Sequence, residues 1–276
     1  MSDTLAVIKQ NVTPMWTDPR DRAEQVSQAI FGEMVRVGDE ADDYLSIETP
    51  DGYSGWVRAS HISILETGEK YPDPSRAAMV APLFLPVFRD ASGKSERITL
   101  LTLGTAVELG IGDADAEFYP IRFPCERIGY VEAATLIVPE FPSPEKLGVN
   151  LAVVARGMIG VPYLWGGRTS FGMDCSGFVQ RVYWLCGHTL PRDAYRQAEW
   201  EGFRAVDREE IAVGDLLFFR GENDPQNRGI THVGLALGDG RVVHASGALG
   251  VAITLLDYHQ MLFGQQFVCA RRFGLL

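Results

Sequence analysis

Through the first half of the chain, short apolar runs alternate with polar positions and are broken at close intervals by turn residues. Met34-Val35-Arg36-Val37 and Tyr44-Leu45-Ser46-Ile47 alternate or run apolar, Pro50-Asp51-Gly52 supplies a turn, and Ser54-Gly55-Trp56-Val57 resumes a strand. The pattern then repeats. Tyr44-Leu45-Ser46-Ile47, Pro50, Gly55-Trp56-Val57, Ala59 and Ile62 line up, at an offset of 74, with Phe118-Tyr119-Pro120-Ile121, Pro124, Gly129-Tyr130-Val131, Ala133 and Leu136. Upstream, Gly32 and Val35 match Gly104 and Val107 at an offset of 72, so the second copy carries a two-residue insertion. Such a repeat predicts two related five- or six-stranded barrels, residues 1–70 and 71–140. The second copy reads Pro124-Cys125-Glu126-Arg127 at its turn and has lost both the Asp-Gly pair and the aromatic at Tyr53. It reads as a spacer that completes the core.

Pro72-Asp73-Pro74 separates the two copies, and Pro139-Glu140-Phe141-Pro142-Ser143-Pro144 predicts a stiff linker after the second. Beyond it the period changes. Leu147, Leu151, Val154 and Met158 mark one face of a helix, and Phe178, Val179, Val182, Tyr183 and Cys186 predict an amphipathic helix from Ser176 to about Cys186. After Gly187 the pattern returns to strands. Val213–Phe219 is a turn feeding a buried strand, Thr231–Leu237 and Arg241–Ser246 flank Gly238-Asp239-Gly240, and Val251–Leu255 continues the sheet. Helices followed by a meander of strands predict an α+β domain over residues 141–276.

Composition narrows the partners. The 276 residues are 46% apolar and 22% charged, and the net charge of −11 is spread along the chain, which argues against nucleic acid and anionic membrane surfaces. Met1–Trp16 lacks a basic segment followed by an apolar run, and no 18-residue apolar stretch exists to span a bilayer; the expectation is a cytoplasmic protein without a secretory signal. Four cysteines without CxxC spacing fit reduced thiols.

Cys175 stands directly ahead of the second helix. A thiol there faces unpaired backbone N–H groups and the positive end of the helix dipole, which can lower its pKa from about 8.5 to roughly 3.5–7.5. Most free cysteines are small buried hydrophobes, so the position alone decides nothing. The histidines decide it. A three-residue Gly-Asp-Gly loop closed between Leu237 and Arg241 pairs His244 with Gly234 and His232 with Ser246. Side chains alternate with period two, so His232 and His244 then share one sheet face as diagonal neighbours. A cysteine at a helix start with two histidines on one sheet face supplies a nucleophile, a base and a group that orients the base. Cys/His/His is also a catalytic zinc set, but no HExxH or CxxC accompanies it, and no metal or other cofactor is expected. His61, His188 and His259 read as surface or turn residues.

Four phrases in this order, PYLWGGRTSFGMDCSGFVQ, LPRDAYRQ, VGDLLFF and THVGLALGDGRVVHAS, resemble the NlpC-type cysteine peptidases of bacterial peptidoglycan. GYSGWV and its upstream repeat resemble bacterial SH3-like domains. The resemblance implies a reduced papain-like α+β fold behind two small all-β SH3-like barrels. It implies Cys175 as nucleophile, His232 as general base, His244 as the orienting residue and Tyr163 near the oxyanion. Two SH3-like modules and the Arg192-Asp193 pair resemble the γ-D-glutamyl-L-diamino acid endopeptidase subgroup (dipeptidyl-peptidase VI type), which acts on free murein peptides such as L-Ala-γ-D-Glu-diaminopimelate. That implies Asp193, read as a buried carboxylate, for the substrate ammonium, joined by Glu24 (or Glu33) and Tyr53 of the first module as a gate. Arg192 is expected at a substrate carboxylate or in a structural ion pair, and Asp174 and Ser176 at the substrate. Ala194 and Thr231 stand where the subgroup often has serine. The alternatives are an exported hydrolase of polymeric or N-acylated stems and an inactive wall- or peptide-binding protein.

Overall fold

The computed structural model describes residues 4–113, 115–124, 127–138, 141–221, 229–256, 261–262 and 265–274, so Cys125, His259 and part of the expected Pro139–Pro144 linker lie outside the described residues. The chain divides into two compact units, Met1–Glu140 and Phe141–Leu276.

The first unit holds the repeat. Strands β1 (Leu5–Ile8), β2 (Val12–Trp16), β3 (Gln25–Ile30), β4 (Met34–Ala41), β5 (Tyr44–Glu48), β6 (Ser54–Arg58) and β7 (Ile62–Ile64) form one antiparallel sheet in the order β3-β2-β6-β5-β4-β1-β7. Strands β8 (Ala77–Val80), β9 (Phe84–Phe88), β10 (Arg97–Thr102), β11 (Ala106–Leu109), β12 (Phe118–Arg122), β13 (Ile128–Glu132) and β14 (Leu136–Ile137) repeat that order strand for strand. Each copy therefore has seven strands where five or six were expected; the additional short strands, such as Ile62–Ile64 and Leu136–Ile137, follow single 3-10 turns and escape a pattern search. The copies are not independent. Val7, Phe31 and Tyr71 sit in the core of the second barrel with Val87, Leu101, Val131 and Phe123. Phe31 meets Phe123 edge-on at 5.1 Å between ring centroids, a favoured aromatic geometry. The expected break after residue 70 is thus a packed joint.

The second unit is α+β. Helices α1 (Pro144–Gly157), α2 (Cys175–Leu185) and α3 (Ala194–Ala198) precede a seven-stranded antiparallel sheet. A small hairpin of β15 (Arg168–Thr169) and β16 (Gly172–Met173) lies before α2. The large sheet comprises β17 (Phe203–Val206), β18 (Leu216–Arg220), β19 (His232–Gly238), β20 (Arg241–Ser246), β21 (Gly250–Leu255), β22 (Met261–Leu262) and β23 (Gln265–Phe273), in the order β17-β23-β18-β19-β20-β21 with β22 paired to β23. Helix α2 packs against β19, β20, β15 and α1, and every residue from Cys175 to Tyr183 is buried. The expected amphipathic helix is thus enclosed as far as Tyr183, with the hairpin strand β15 packed on it besides the sheet and α1, and only its last turn, at Trp184, reaches solvent.

Helix α1 comes close to the sheet through two glycines. A Cβ on Gly148 would lie 2.5 Å from the Val213 carbonyl oxygen, and one on Gly214 would lie 2.3 Å from the Gly148 Cα. Gly214 also holds φ at +93°, a region costly to any L side chain. Gly52 has a similar φ of +75° but open space around it. In urea unfolding, Gly52→Ala is expected to cost about 1 kcal/mol and Gly214→Ala at least about 3 kcal/mol, since it adds a backbone clash to the same strain. Equal losses would show that Gly214 matters only for its dihedral angle.

Candidate active site

The start of α2 is fixed by a buried charge network. Asp174 takes the N-cap position in extended backbone, and its Oδ1 accepts the Gly177 N–H at 2.7 Å. Its Oδ2 accepts the Gly166 N–H at 2.9 Å, tying the Tyr163–Gly167 segment to the helix. Arg192 closes the network as a fork. Nη1 donates to Asp174 Oδ1 at 3.0 Å and Nη2 to Oδ2 at 2.5 Å, while Nη1 also reaches Ser176 Oγ at 3.0 Å. Arg192 is 2% exposed and Asp174 6%. Gln197 of α3 donates from Nε2 to the carbonyls of Ser176 and Pro191, at 3.1 and 2.8 Å. Gly177 must be glycine here, since a Cβ would fall 2.1 Å from the Gly167 carbonyl oxygen. The backbone on either side of Cys175 has no freedom left.

Across from it stand the histidines. His232 on β19 and His244 on β20 meet ring to ring, Nε2 of His232 to Nδ1 of His244 at 2.8 Å, with planes 88° apart. The expected register is present: Leu235 pairs with Val243 and Ala236 with Val242. The turn that sets it differs from the expected three-residue loop. Gly238 pairs with Arg241, a bulge lies between Ala236 and Gly238, and Gly238, Asp239 and Gly240 all take positive φ. The loop is the two-residue Asp239-Gly240. The bulge restores the parity that a two-residue loop alone would have reversed. A Cβ on Gly234 would lie 3.1 Å from the His244 Cβ, so glycine there makes room for the second imidazole. His244 Nε2 in turn lies 3.0 Å from Thr254 Oγ1 on β21.

Electrostatics correct one expectation. Burial pushes the Cys175 thiol up to about 12, and the Asp174 carboxylate adds to the rise. A hydrogen bond from the Val233 N–H, the Arg192 charge and the Ser176 N–H pull the other way without prevailing. The helix start favours a thiolate, but desolvation in this site outweighs it. Burial likewise lowers His232 to about 3, with His244 contributing, and lowers His244 to about 4. Both imidazoles are therefore neutral at neutral pH, each holding one proton and one lone pair. Tyr163 is half-buried, and its hydroxyl is held protonated by burial, with the Asp174 carboxylate adding to the rise. A neutral phenol can donate a hydrogen bond. The Val233 N–H bond places the thiol beside β19, one residue from His232.

Other expected residues are placed differently. Arg192 spends its fork on Asp174, so it is the structural ion pair of the two readings. Asp174 and Ser176 are buried and bonded to Arg192 and to each other. Asp193, expected buried, is half-buried; its side chain is 21% exposed and lies 3.7 Å from Arg196. It caps α3 by position but not through its side chain. Ala194 is buried on α3, and Thr231 Oγ1 accepts the Gly221 N–H. In the first unit Glu24 is exposed and Tyr53 half-buried against the first barrel's core, whereas Glu33 accepts the Ile30 N–H in its own turn. Gln197 and Thr254 were not expected. Parity on β21 offered a signal for Thr254, since Val242 pairs with it and His244 with Ala252, all on one face. Among the described residues no group of three or more metal-ligating side chains is arranged around a common point.

Residues 160–272 match the NlpC/P60 family and residues 15–62 the bacterial dipeptidyl-peptidase SH3 domain. The chain is 26% identical over 264 residues to a gamma-D-glutamyl-L-lysine dipeptidyl-peptidase of Bacillus subtilis, covering 89% of this chain and 80% of that one. It is 26% identical to dipeptidyl-peptidase 6 of Lysinibacillus sphaericus, with 94% of each covered. The murein DD-endopeptidase MepS/murein LD-carboxypeptidase of Escherichia coli K12 is 40% identical over 99 residues, 36% of this chain and 49% of that one. A crystal structure of an NlpC/P60 family protein from Bacillus cereus superposes over 98% of this chain and 99% of its own with a TM-score of 0.80 at 22% identity, which is a likeness of fold.

The network yields a decisive substitution. Arg192→Lys loses the fork and leaves the Asp174 carboxylate with a single cationic donor in place of two, so it is expected to cost about 2–4 kcal/mol in chemical denaturation. An unchanged unfolding midpoint with a raised KM would return Arg192 to substrate binding.

Proposed function

We propose that this chain, which carries an NlpC/P60 domain and an SH3 domain of the bacterial dipeptidyl-peptidase type, is a cysteine endopeptidase of free murein peptides. The bond cut is the one between γ-D-glutamate and a diamino acid, in peptides such as L-Ala-γ-D-Glu-diaminopimelate. One observation carries the reading: a buried thiol at a locked helix start is held by the N–H of Val233, the neighbour on β19 of His232, which is itself hydrogen-bonded to His244. In this reading Cys175 Sγ attacks the γ-carbonyl as its proton passes to His232, whose Nε2 is already engaged by His244. The oxyanion develops against the Cys175 backbone N–H at the start of α2 and against the Tyr163 hydroxyl. His232 then returns the proton to the leaving amine as the C–N bond breaks. Water attacks the thioester, giving its proton to His232, and the thiol is restored.

The site's burial supports the same account. A thiol at about 12 and an imidazole at about 3 do not separate charge at rest, so proton transfer accompanies attack on a bound substrate. The subgroup resemblance assigns the substrate's free ammonium to Asp193, which is half-buried and takes the N-cap position of α3 without a capping bond from its side chain. Glu24 and Tyr53 enter on the resemblance alone, and single variants Glu24→Gln and Tyr53→Phe read their share in KM. The location proposed is the cytoplasm, where such peptides are recycled; among the described residues no helix is long and apolar enough to cross a membrane.

Mass spectrometry of digests separates the alternatives. Three substrates are compared, the free tripeptide, its N-acetylated form and intact sacculi, each with a Cys175→Ala control. Cleavage of the free tripeptide alone, abolished in Cys175→Ala, is the expected result. Equal cleavage of the acetylated peptide would remove the ammonium requirement, release from sacculi would make the protein a hydrolase of the polymer, and no cleavage of any substrate would leave a binding protein.

A further inference from the structure

The hydrogen-bonded chain that begins at the two histidines has a third member. His232 Nε2 lies 2.8 Å from His244 Nδ1, and His244 Nε2 lies 3.0 Å from Thr254 Oγ1. A neutral imidazole holds one proton, so the direction of each hydrogen bond fixes the next. For His232 to receive the thiol proton at Nδ1, its own proton must sit on Nε2 and be donated to His244 Nδ1. His244 must then carry its proton on Nε2, where only an acceptor can meet it. A hydroxyl has lone pairs to offer. With the opposite order, Thr254 donating to His244 Nε2, His244 donates from Nδ1 and His232 is left protonated at the nitrogen that should act as base.

We propose that Thr254 is a positioning residue for this site: its hydroxyl accepts the Nε2–H of His244 and so holds the two imidazoles in the tautomers that let His232 take the proton of Cys175. Once His232 is an imidazolium, both its nitrogens carry protons, and the same directions are enforced throughout. Thr254 thereby also stabilises the charged form through His244. Of the titratable and charged groups around the site, Asp174 and Arg192 act on Cys175 and on Tyr163, while His232 is influenced by His244 and His244 by burial. Strand β21 itself, Gly250–Leu255, adds no charge.

This inference deepens the peptidase reading and rests on it only for the turnover assay. The direct test needs no substrate. Iodoacetamide alkylates Cys175 by forming a C–S bond as iodide leaves and the thiol proton passes to His232; the rate is followed by mass spectrometry of the Cys175 peptide across pH. Thr254→Val keeps the branched shape and loses the acceptor. It is expected to slow alkylation between roughly two- and tenfold, the scale of one hydrogen bond. The site rests as a neutral thiol–imidazole pair, and the variant loses support for the His232 imidazolium, so the acid limb of the rate profile should also move to lower pH. Thr254→Ser should restore both rate and range, which a packing role for the methyl group would not. Imidazole 15N shifts of the wild-type protein should show His244 protonated on Nε2, a readout that holds even if Thr254→Val does not fold. A Thr254→Val protein with wild-type rate and pH range, or a wild-type His244 protonated on Nδ1, overturns the proposal. If the alkylation differences appear while no murein peptide is cleaved, the relay stands and the peptidase reading falls.

Discussion

The buried pair of Asp174 and Arg192 is the constraint on which the second unit's chemistry depends. Asp174 alone satisfies two backbone N–H groups, one in the helix and one in the Tyr163–Gly167 segment, and still carries a full charge away from water. A carboxylate so placed is tolerable only with a partner of matching geometry, and the guanidinium fork supplies it on both oxygens. The result joins three stretches: the segment before β15, the first turn of α2 and the Pro191–Arg192 loop ahead of α3. Cys175 lies between the fastened residues. Its position follows from electrostatics as much as from hydrophobic packing.

The same burial governs protonation. A thiol and an imidazole taken from water lose the solvation of their charged forms, so each is driven toward neutrality: the thiol upward and the histidines downward. The positive end of α2 and the Val233 N–H act against this at Cys175 and fall short. The N-cap carboxylate that builds the helix start is itself one reason, since it lies beside the thiol and opposes a second negative charge. Stability of the helix start and acidity of the thiol are in conflict here. A site of this kind rests as a neutral pair and creates charge only when an oxyanion and its donors share the cost.

Much of this was legible in the chain. The repeat foretold two like barrels, and period-two alternation around Gly238-Asp239-Gly240 placed both histidines on one face. What the sequence concealed was of two kinds. Some features depend on contacts between distant segments: the choice of Arg192 for Asp174 over a ligand, the enclosure of α2 and the shared core that joins the barrels through Phe31 and Tyr71. Others depend on backbone detail below the resolution of a pattern. Asp239 at φ +52° makes a two-residue turn, and the bulge before Gly238 compensates for it. The histidine register came out right although the turn assumed for it was wrong, because the two differences cancel. The thiol's acidity was misjudged for a plainer reason: a helix start is visible in sequence, whereas the depth at which it is buried is not.

Using an imidazole as the orienting group has a consequence of its own. A carboxylate in the place of His244 would hold a fixed negative charge against His232, raise its basicity and favour a standing ion pair with the thiol. His244 offers a lone pair without that charge, and Thr254 continues the chain with another neutral acceptor. Orientation is retained while electrostatic pull is given up. A neutral chain is also easier to bury, since none of its members brings an ionic desolvation cost of its own. Proteins that place this relay behind a sheet can therefore keep it dry, and a dry relay magnifies each hydrogen bond that the oxyanion later receives. The neutral relay and the depth of the site belong to one design. A shallower site would gain little from the second histidine, and a deeper one could not hold a carboxylate there without another arginine to balance it.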